Sequence, residues 1–238
     1  TTERLKEYVA FTTTGLLQPQ TIGRVSNQDL HAASPADLLI ITHSNWLSEA
    51  QRLAAFHQQH QALRSVIATT EQVYNEFAGG RPDPVAIRDF VKMYYDRYGT
   101  SLSDKPRYLL LFGDASFDYR DRLNSNTNFV PAWQSEQSID PLSTYTSDDF
   151  FGFLDNNEDI NTGSLINYLD IGIGRVPAKN MNEARQFVDK LVAYADSASM
   201  GPWRNTLTFI ADDEDGNLHL QDAEQITATT VSTAPGFN

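Results

Sequence analysis

Apolar residues alternate along this chain between short unbroken runs and stretches with a period of three to four, a pattern that predicts strand then helix, repeated. Residues 37–43 (Asp37-Leu38-Leu39-Ile40-Ile41-Thr42-His43) have the continuous apolar character of a strand buried on both faces. Ser44-Asn45 can cap a helix that places Trp46, Leu47, Ala50, Leu53, Ala54 and His57 on one face. Residues 65–70 read as a second strand, after which Gly79-Gly80 interrupts the chain. Asp83-Pro84 supplies an N-cap with proline at the first helical position, and the helix that follows buries Ile87, Phe90, Val91, Tyr94 and Tyr98. A third strand, residues 108–112, ends in Gly113-Asp114-Ala115-Ser116. Residues 117–140 form a long polar loop interrupted by Phe129-Val130-Pro131-Ala132-Trp133. Residues 145–154 and 169–176 predict further strands, the second closing on Gly174-Arg175-Val176-Pro177. Asn180, with Glu183 three residues on, resembles a capping box for a helix carrying Ala184, Phe187, Val188, Leu191 and Val192 inward. Residues 206–211 predict a fresh strand that runs into an acidic stretch, followed by a helix from about Leu220.

Strands alternating with helices imply an α/β fold, a mainly parallel sheet flanked by helices on both faces with right-handed crossovers. Ligands of such sheets sit beyond the carboxyl ends of the strands. Here those ends are His43-Ser44, Thr69-Thr70-Glu71, Gly113-Asp114-Ala115-Ser116 and residues 212–217. The first 36 residues fit the scheme poorly. Residues 7–11 read as one strand, the end of a preceding β-domain and its linker.

Composition narrows the chemistry. Of 238 residues, 18 are Lys or Arg and 31 Asp or Glu, a net charge of −13 that disfavours nucleic acid as a partner. Hydrophobic residues make up 40%, enough for a packed core. Cysteine is absent, which removes disulfides, zinc–thiolate sites and a thiol nucleophile from these residues. The chain opens on Thr1 and stops at Asn238 just past a predicted helix, so it is expected to be a piece of a longer polypeptide.

Three groupings could carry chemistry. His57 and His60 stand three apart on one helix, a spacing that can bind a metal, although no third ligand is evident nearby. Gly113-Asp114-Ala115-Ser116 is similar to the Gly-Asp-Ser block of some serine esterases, with Ala intervening and His219 the only late histidine. A tight turn explains the same residues. Asp212-Asp213-Glu214-Asp215 places four carboxylates in sequence, which repel one another unless a cation, a basic side chain or open solvent relieves them. Calcium is the natural hard cation there, although the spacing is not that of an EF-hand loop, and a solvated acidic loop is the alternative.

Several stretches together resemble the gingipain-like cysteine peptidases, in particular the PorU-type peptidases of the type IX secretion system. They are Asn27-Gln28-Asp29-Leu30-His31, residues 36–42, residues 84–90, residues 108–114, Ser147-Asp148-Asp149-Phe150-Phe151-Gly152, residues 170–177 and Ala211-Asp212-Asp213, in that order. The resemblance implies a caspase-like unit of two α/β subdomains. Residues 37–199 would be the first, non-catalytic subdomain, and residues 200–238 the truncated start of the catalytic one. The family's catalytic His lies in a Gly-His-Gly strand end and its Cys ends the next strand; neither motif occurs here, so this piece alone is expected to be inactive. The resemblance places Glu214, with Asp213 close behind, as the acid that orients the catalytic His, and His219 at the base of the pocket for the residue before the scissile bond. A neutral imidazole there does not pair with a basic side chain as a carboxylate does, which argues against strict Arg or Lys specificity; a surface helix start is the plainer role for His219. For the whole protein the resemblance implies removal of C-terminal sorting domains from exported cargo at the cell surface, a PorV-like outer-membrane partner, no required cofactor, and bound calcium as an option. A non-enzymatic acidic surface module binding calcium or a partner protein is the alternative.

Overall fold

In the computed structural model, the described residues are 7–237 apart from 17, 19, 22, 102, 138, 162–166 and 235, with residue 231 described by its main chain alone. Four parallel strands form the central sheet: β1 (Leu38–Thr42), β2 (Ser65–Thr69), β3 (Tyr108–Phe112) and a last strand Gly172–Val176, in the order β2-β1-β3-last. A separate two-residue pair, β4 (Trp133–Gln134) with β5 (Thr146–Ser147), is antiparallel, so the last sheet strand is β6. Central β1 is buried at every position, as its unbroken apolar run predicts.

The register sorts the side chains into two cores. Leu39, Ile41, Leu109 and Leu111 face α2 (Thr70–Phe77) and α3 (Pro84–Tyr98), where Val73, Ile87, Phe90 and Tyr94 meet them. Leu38, Ile40, Phe112 and Val176 face α1 (Leu47–Gln61) and α4 (Met181–Ala195), against Ala50, Leu53, Ala184 and Val188. Helices therefore cover both faces, as predicted. Each fully buried aliphatic side chain contributes about 1.5–3 kcal/mol. Glu49 joins the two helices of the second face, pairing with Arg52 (3.0 Å) on its own helix and Arg185 (3.6 Å) on α4.

Several boundaries differ from the sequence reading for identifiable reasons. Residue 70 does not end β2 but begins α2, which the periodicity missed. Thr69 Oγ1 accepts from the Gln72 amide and Gln72 Oε1 accepts from the Thr69 amide, a capping box that turns strand into helix with no loop between. Ser44-Asn45 does not cap α1; a 3-10 turn precedes it, and its cap is His43, whose Nδ1 accepts from the Asn45 amide at 3.2 Å. Asp83 does cap α3, accepting from the Val85 amide at 3.0 Å. Asn180 caps α4 through the Glu183 amide, but Glu183 reaches back to the amide of Lys179 rather than closing the box on Asn180. On α4 only Ala184 and Val188 are fully buried, and the predicted inward residues Phe187 and Val192 are 37% and 39% exposed.

Three predicted strands do not form as predicted. Residues 7–11 are exposed and have no strand partner among the described residues, and residues 1–6 of that leading segment lie outside those residues. Of residues 145–154 only Thr146–Ser147 lies in a strand among the described residues, after which a 3-10 turn spans Asp149–Gly152. There α3 replaces a sheet neighbour: Arg88 donates to the Phe153 carbonyl at 2.8 Å and Lys92 to that of Leu154 at 2.6 Å. Residues 206–211 are exposed with no strand beside them among the described residues, and Ile210 is 92% exposed. Past them a 3-10 turn, Asp215–Asn217, leads into α5 (Leu218–Thr233). No helix among the described residues is long and apolar enough to cross a membrane.

Candidate functional site

β1, β2 and β3 end level, with Thr42 opposite both Thr69 and Phe112 and Phe112 opposite Val176. Three of the strand ends singled out in the sequence, His43, Thr70 and Gly113-Asp114, thus share one rim. The loop after β3 folds onto that rim around Arg175 of β6. Its guanidinium grips Asp148 through two contacts of 2.7 Å and donates to the carbonyls of Gly113 (2.8 Å), Val130 (2.6 Å) and Pro131 (3.2 Å). Asp114 accepts from the Thr127 hydroxyl at 2.6 Å, and its carbonyl accepts from the amides of Phe129 and Val130. Gly113 is required by this approach, since a Cβ there would lie 2.7 Å from Val130 Cγ2.

Over the rim, the His43 ring packs against Trp46 and Phe129, with centroids 5.4 and 5.1 Å away. Burial lowers the pKa of His43, the charge of Glu71 opposing the shift in part. A cleft of about 410 Å³ opens here, with His43, Thr70, Tyr74, Asp83, Tyr119 and Phe129 among its walls.

Ser116, the esterase candidate, is spent on local structure. Its Oγ accepts from the Asp118 amide at 3.1 Å and its own amide donates to Asn128 at 3.2 Å. Among the described residues no histidine hydrogen-bonds its hydroxyl, so no serine nucleophile is assembled. His57 and His60 do not converge either: His57 Nδ1 pairs with Gln61 Oε1 (2.8 Å) and His60 Nδ1 with the Phe56 carbonyl (3.0 Å).

The acidic run and His219 lie together at the start of α5. Asp212, Asp213, Glu214 and Asp215 are all exposed. Asp215, Gly216 and Asn217 take left-handed backbone angles in the turn that follows. That turn brings His219 Nε2 to 3.4 Å from Asp215 Oδ2. His219 also lines a shallow groove of about 480 Å³ with Phe209, Ile210, Asp212, Asp222 and Ile226. Asp213 and Glu214 stand outside that groove, their carboxylates open to solvent. The run does not gather three ligands around one point. Among the described residues the one carboxylate–imidazole cluster that does so is Asp29, His31 and Glu76.

Those three are already engaged. Glu76 accepts from His31 Nδ1 (2.6 Å), the Leu30 amide (2.7 Å) and Gln28 Nε2 (2.9 Å), while Asp29 accepts from the Ala32 amide (2.9 Å). His31 stacks on Phe77 at 4.7 Å. The cluster is a clasp holding residues 28–32 against α2. Sequence reasoning missed the clasp and the role of Arg175 because the partners lie 45 and 27 residues away or more.

Residues 31–238 match the model of Peptidase family C25. No curated protein matches the chain. Among solved structures, dimeric latent PorU from Porphyromonas gingivalis superposes with a TM-score of 0.69 at 31% identity over 86% of this chain. The Arg specific cysteine proteinase gingipain R superposes with a TM-score of 0.54 at 15% identity over 87% of the chain, a likeness of fold alone. The chain spans 20% of the PorU chain and 41% of the gingipain chain. The match over nearly all of the α/β unit, together with the parallel sheet, places this chain in Peptidase family C25, the gingipain family.

Proposed function

We propose that this chain is the supporting subdomain, with the opening of the catalytic subdomain, of a PorU-like cysteine endopeptidase. The likeness to PorU over 86% of the chain carries the reading, taken with the absence of any cysteine. In the whole enzyme a cysteine thiolate attacks the peptide carbonyl and a histidine takes and returns the proton, passing through an acyl-enzyme that water hydrolyses. The contribution of these residues is positioning. The exposed carboxylate of Glu214, or of Asp213 beside it, accepts from the Nδ1–H of that histidine, fixing its tautomer and favouring its charged form. His219, in a groove with Phe209 and Ile210, meets the residue before the scissile bond, and an imidazole there, unlike a carboxylate, selects against strict Arg or Lys preference. The same reading takes exported proteins with C-terminal sorting domains as substrates, a PorV-like outer-membrane protein as partner and the outer face of the outer membrane as the working place.

Calcium stays an option of this reading and is not required by it; among the described residues the side chains of the acidic run do not converge on one point. Turnover of a peptide substrate by this chain, and by a longer chain that adds the Gly-His-Gly and Cys segments, tests the proposal. We expect none from the first and thiol-blocker-sensitive cleavage from the second. Cleavage by the first that resists thiol blockers would overturn it.

A further inference from the structure

Four buried side-chain polar atoms have no hydrogen-bond partner among the described residues: Trp46 Nε1, Glu49 Oε2, Ser65 Oγ and Arg204 Nε. Two of them belong to charged groups, and Glu49 has Arg52 and Arg185 beside it. Arg204 has no such counter-charge, since among the described residues no carboxylate pairs with its guanidinium. Its Nη2 donates to the Tyr194 carbonyl and to Ser199 Oγ. Its Cζ lies 4.1 Å from the centre of the Tyr194 ring and 5.2 Å from that of Trp203, and the two rings are 5.6 Å apart. These rings offset part of the cost of withdrawing the cation from water, but they leave Nε without an acceptor. Around this cage the surface is apolar. Phe187 shares with Tyr194 a partly exposed stripe of α4, and in the segment that follows Met200 and Trp203 are 68% and 55% exposed. Trp, Tyr and Arg are the residue types that anchor protein interfaces.

We infer that this patch is the seat on which the body completing residues 206–211 docks, and that Arg204 receives a carboxylate from that body. Reach decides the occupant. Thr206 lies two residues beyond Arg204, a span of about 7 Å at most. Leu207, Phe209 and Ile210 are exposed, with no strand beside them among the described residues. Whatever pairs with them stands beside Trp203 and Tyr194, and removing both apolar surfaces from water together favours one body over two. Charge decides the chemistry. A guanidinium without a counter-ion is matched by a carboxylate, whose hydrogen bond to it is roughly twice as strong as one between neutral groups. The inference rests on the reading of residues 200–238 as the opening of a second subdomain, and adds the seat and its anchor. Arg204 is a positioning residue here and touches no reacting atom.

The test is hydroxyl-radical footprinting, read by mass spectrometry, of this chain and of the longer chain that adds the Gly-His-Gly and Cys segments. Modification of Phe187, Tyr194, Met200 and Trp203 is expected to be lower in the longer chain by roughly fivefold or more, as for side chains at the centre of an interface. In the longer chain Arg204→Gln, which keeps a neutral donor but removes the charge, should return most of the lost reactivity and split one melting transition into two. Met200→Ser should weaken the protection of Trp203 in the longer chain and leave the unfolding midpoint of this chain where it was. Equal reactivity of the four side chains in the two chains would overturn the seat, and full protection retained by Arg204→Gln would overturn the carboxylate. Protection that grows in this chain alone as its concentration rises would make the occupant a second copy and overturn the proposal as well. Peptide cleavage is measured on the same samples, so that cleavage without protection refutes only the docking, and protection without cleavage refutes only the peptidase.

Discussion

Arg175 spends all five guanidinium donors on the rim, two on Asp148 and three on carbonyls of Gly113, Val130 and Pro131. A lysine cannot reproduce that planar fork, so Arg175→Lys is expected to lower stability by about 2–4 kcal/mol, read from the urea unfolding midpoint. Charge also sets a pH dependence at this scale. Burial alone would raise the pKa of Asp37, but hydrogen bonds from Arg64 and the charges of Arg64 and Arg107 outweigh it and the net shift is downward. Glu76 follows the same logic, with burial outweighed by donors from Leu30, Gln28 and His31. A lowered carboxyl pKa stabilises the fold above the unfolded value and loses that contribution as pH falls through the folded one. His43, held neutral by burial, likewise loses stability as pH falls below its unfolded value, whereas Asp89, raised by burial, runs the opposite way. Stability should therefore decline below about pH 6.5 and more steeply below about pH 4, with Asp37→Asn flattening the acid limb of an unfolding-midpoint profile.

Elements differ in how openly the chain declares them. The starts of α3 and α4 were legible because Asp83 and Asn180 cap from the position next to the apolar period they introduce. The start of α2 was hidden because its cap, Thr69, is also the last residue of β2. Thr69→Ala should cost about 1 kcal/mol of stability and speed amide exchange in the first turn of α2, measured by hydrogen exchange. Residues 145–154 look like a strand by composition, but Arg88 and Lys92 occupy their carbonyls, and Gly152 sits where a Cβ would lie 2.7 Å from Ile173. Gly152→Ala is expected to destabilise by about 1–3 kcal/mol through overpacking, visible as a lowered melting temperature.

For the whole molecule, the open question is what meets residues 206–211 and the carboxylates of Asp213 and Glu214. If the proposed peptidase is complete only with further chain, Glu214→Gln in that longer enzyme should lower kcat by about 10²–10⁴-fold with KM little changed. Asp213→Asn should have the smaller effect, and steady-state kinetics on a peptide substrate separates the two. Equal, small losses would show that neither carboxylate orients the histidine. Of the candidate site, the residue types at the strand ends were readable in advance, and so was the acidic run. The pairing of His43 with the Asn45 amide and the closing of the loop by Arg175 were not, because each depends on where another segment comes to rest.

By itself the sequence determined the strand–helix alternation, the two-faced burial of β1, the apolar stripe of α3 and the likeness to its family, since these depend on local periodicity and on the order of short motifs. Tertiary structure decided which predicted strands exist and which donors share a cleft. A helix satisfies its backbone from within and so can be read from its own residues, whereas a strand needs a hydrogen-bonding neighbour from elsewhere in the chain. Residues 38–42 find two such neighbours and residues 206–211 find none among the described residues, although both stretches are rich in apolar side chains.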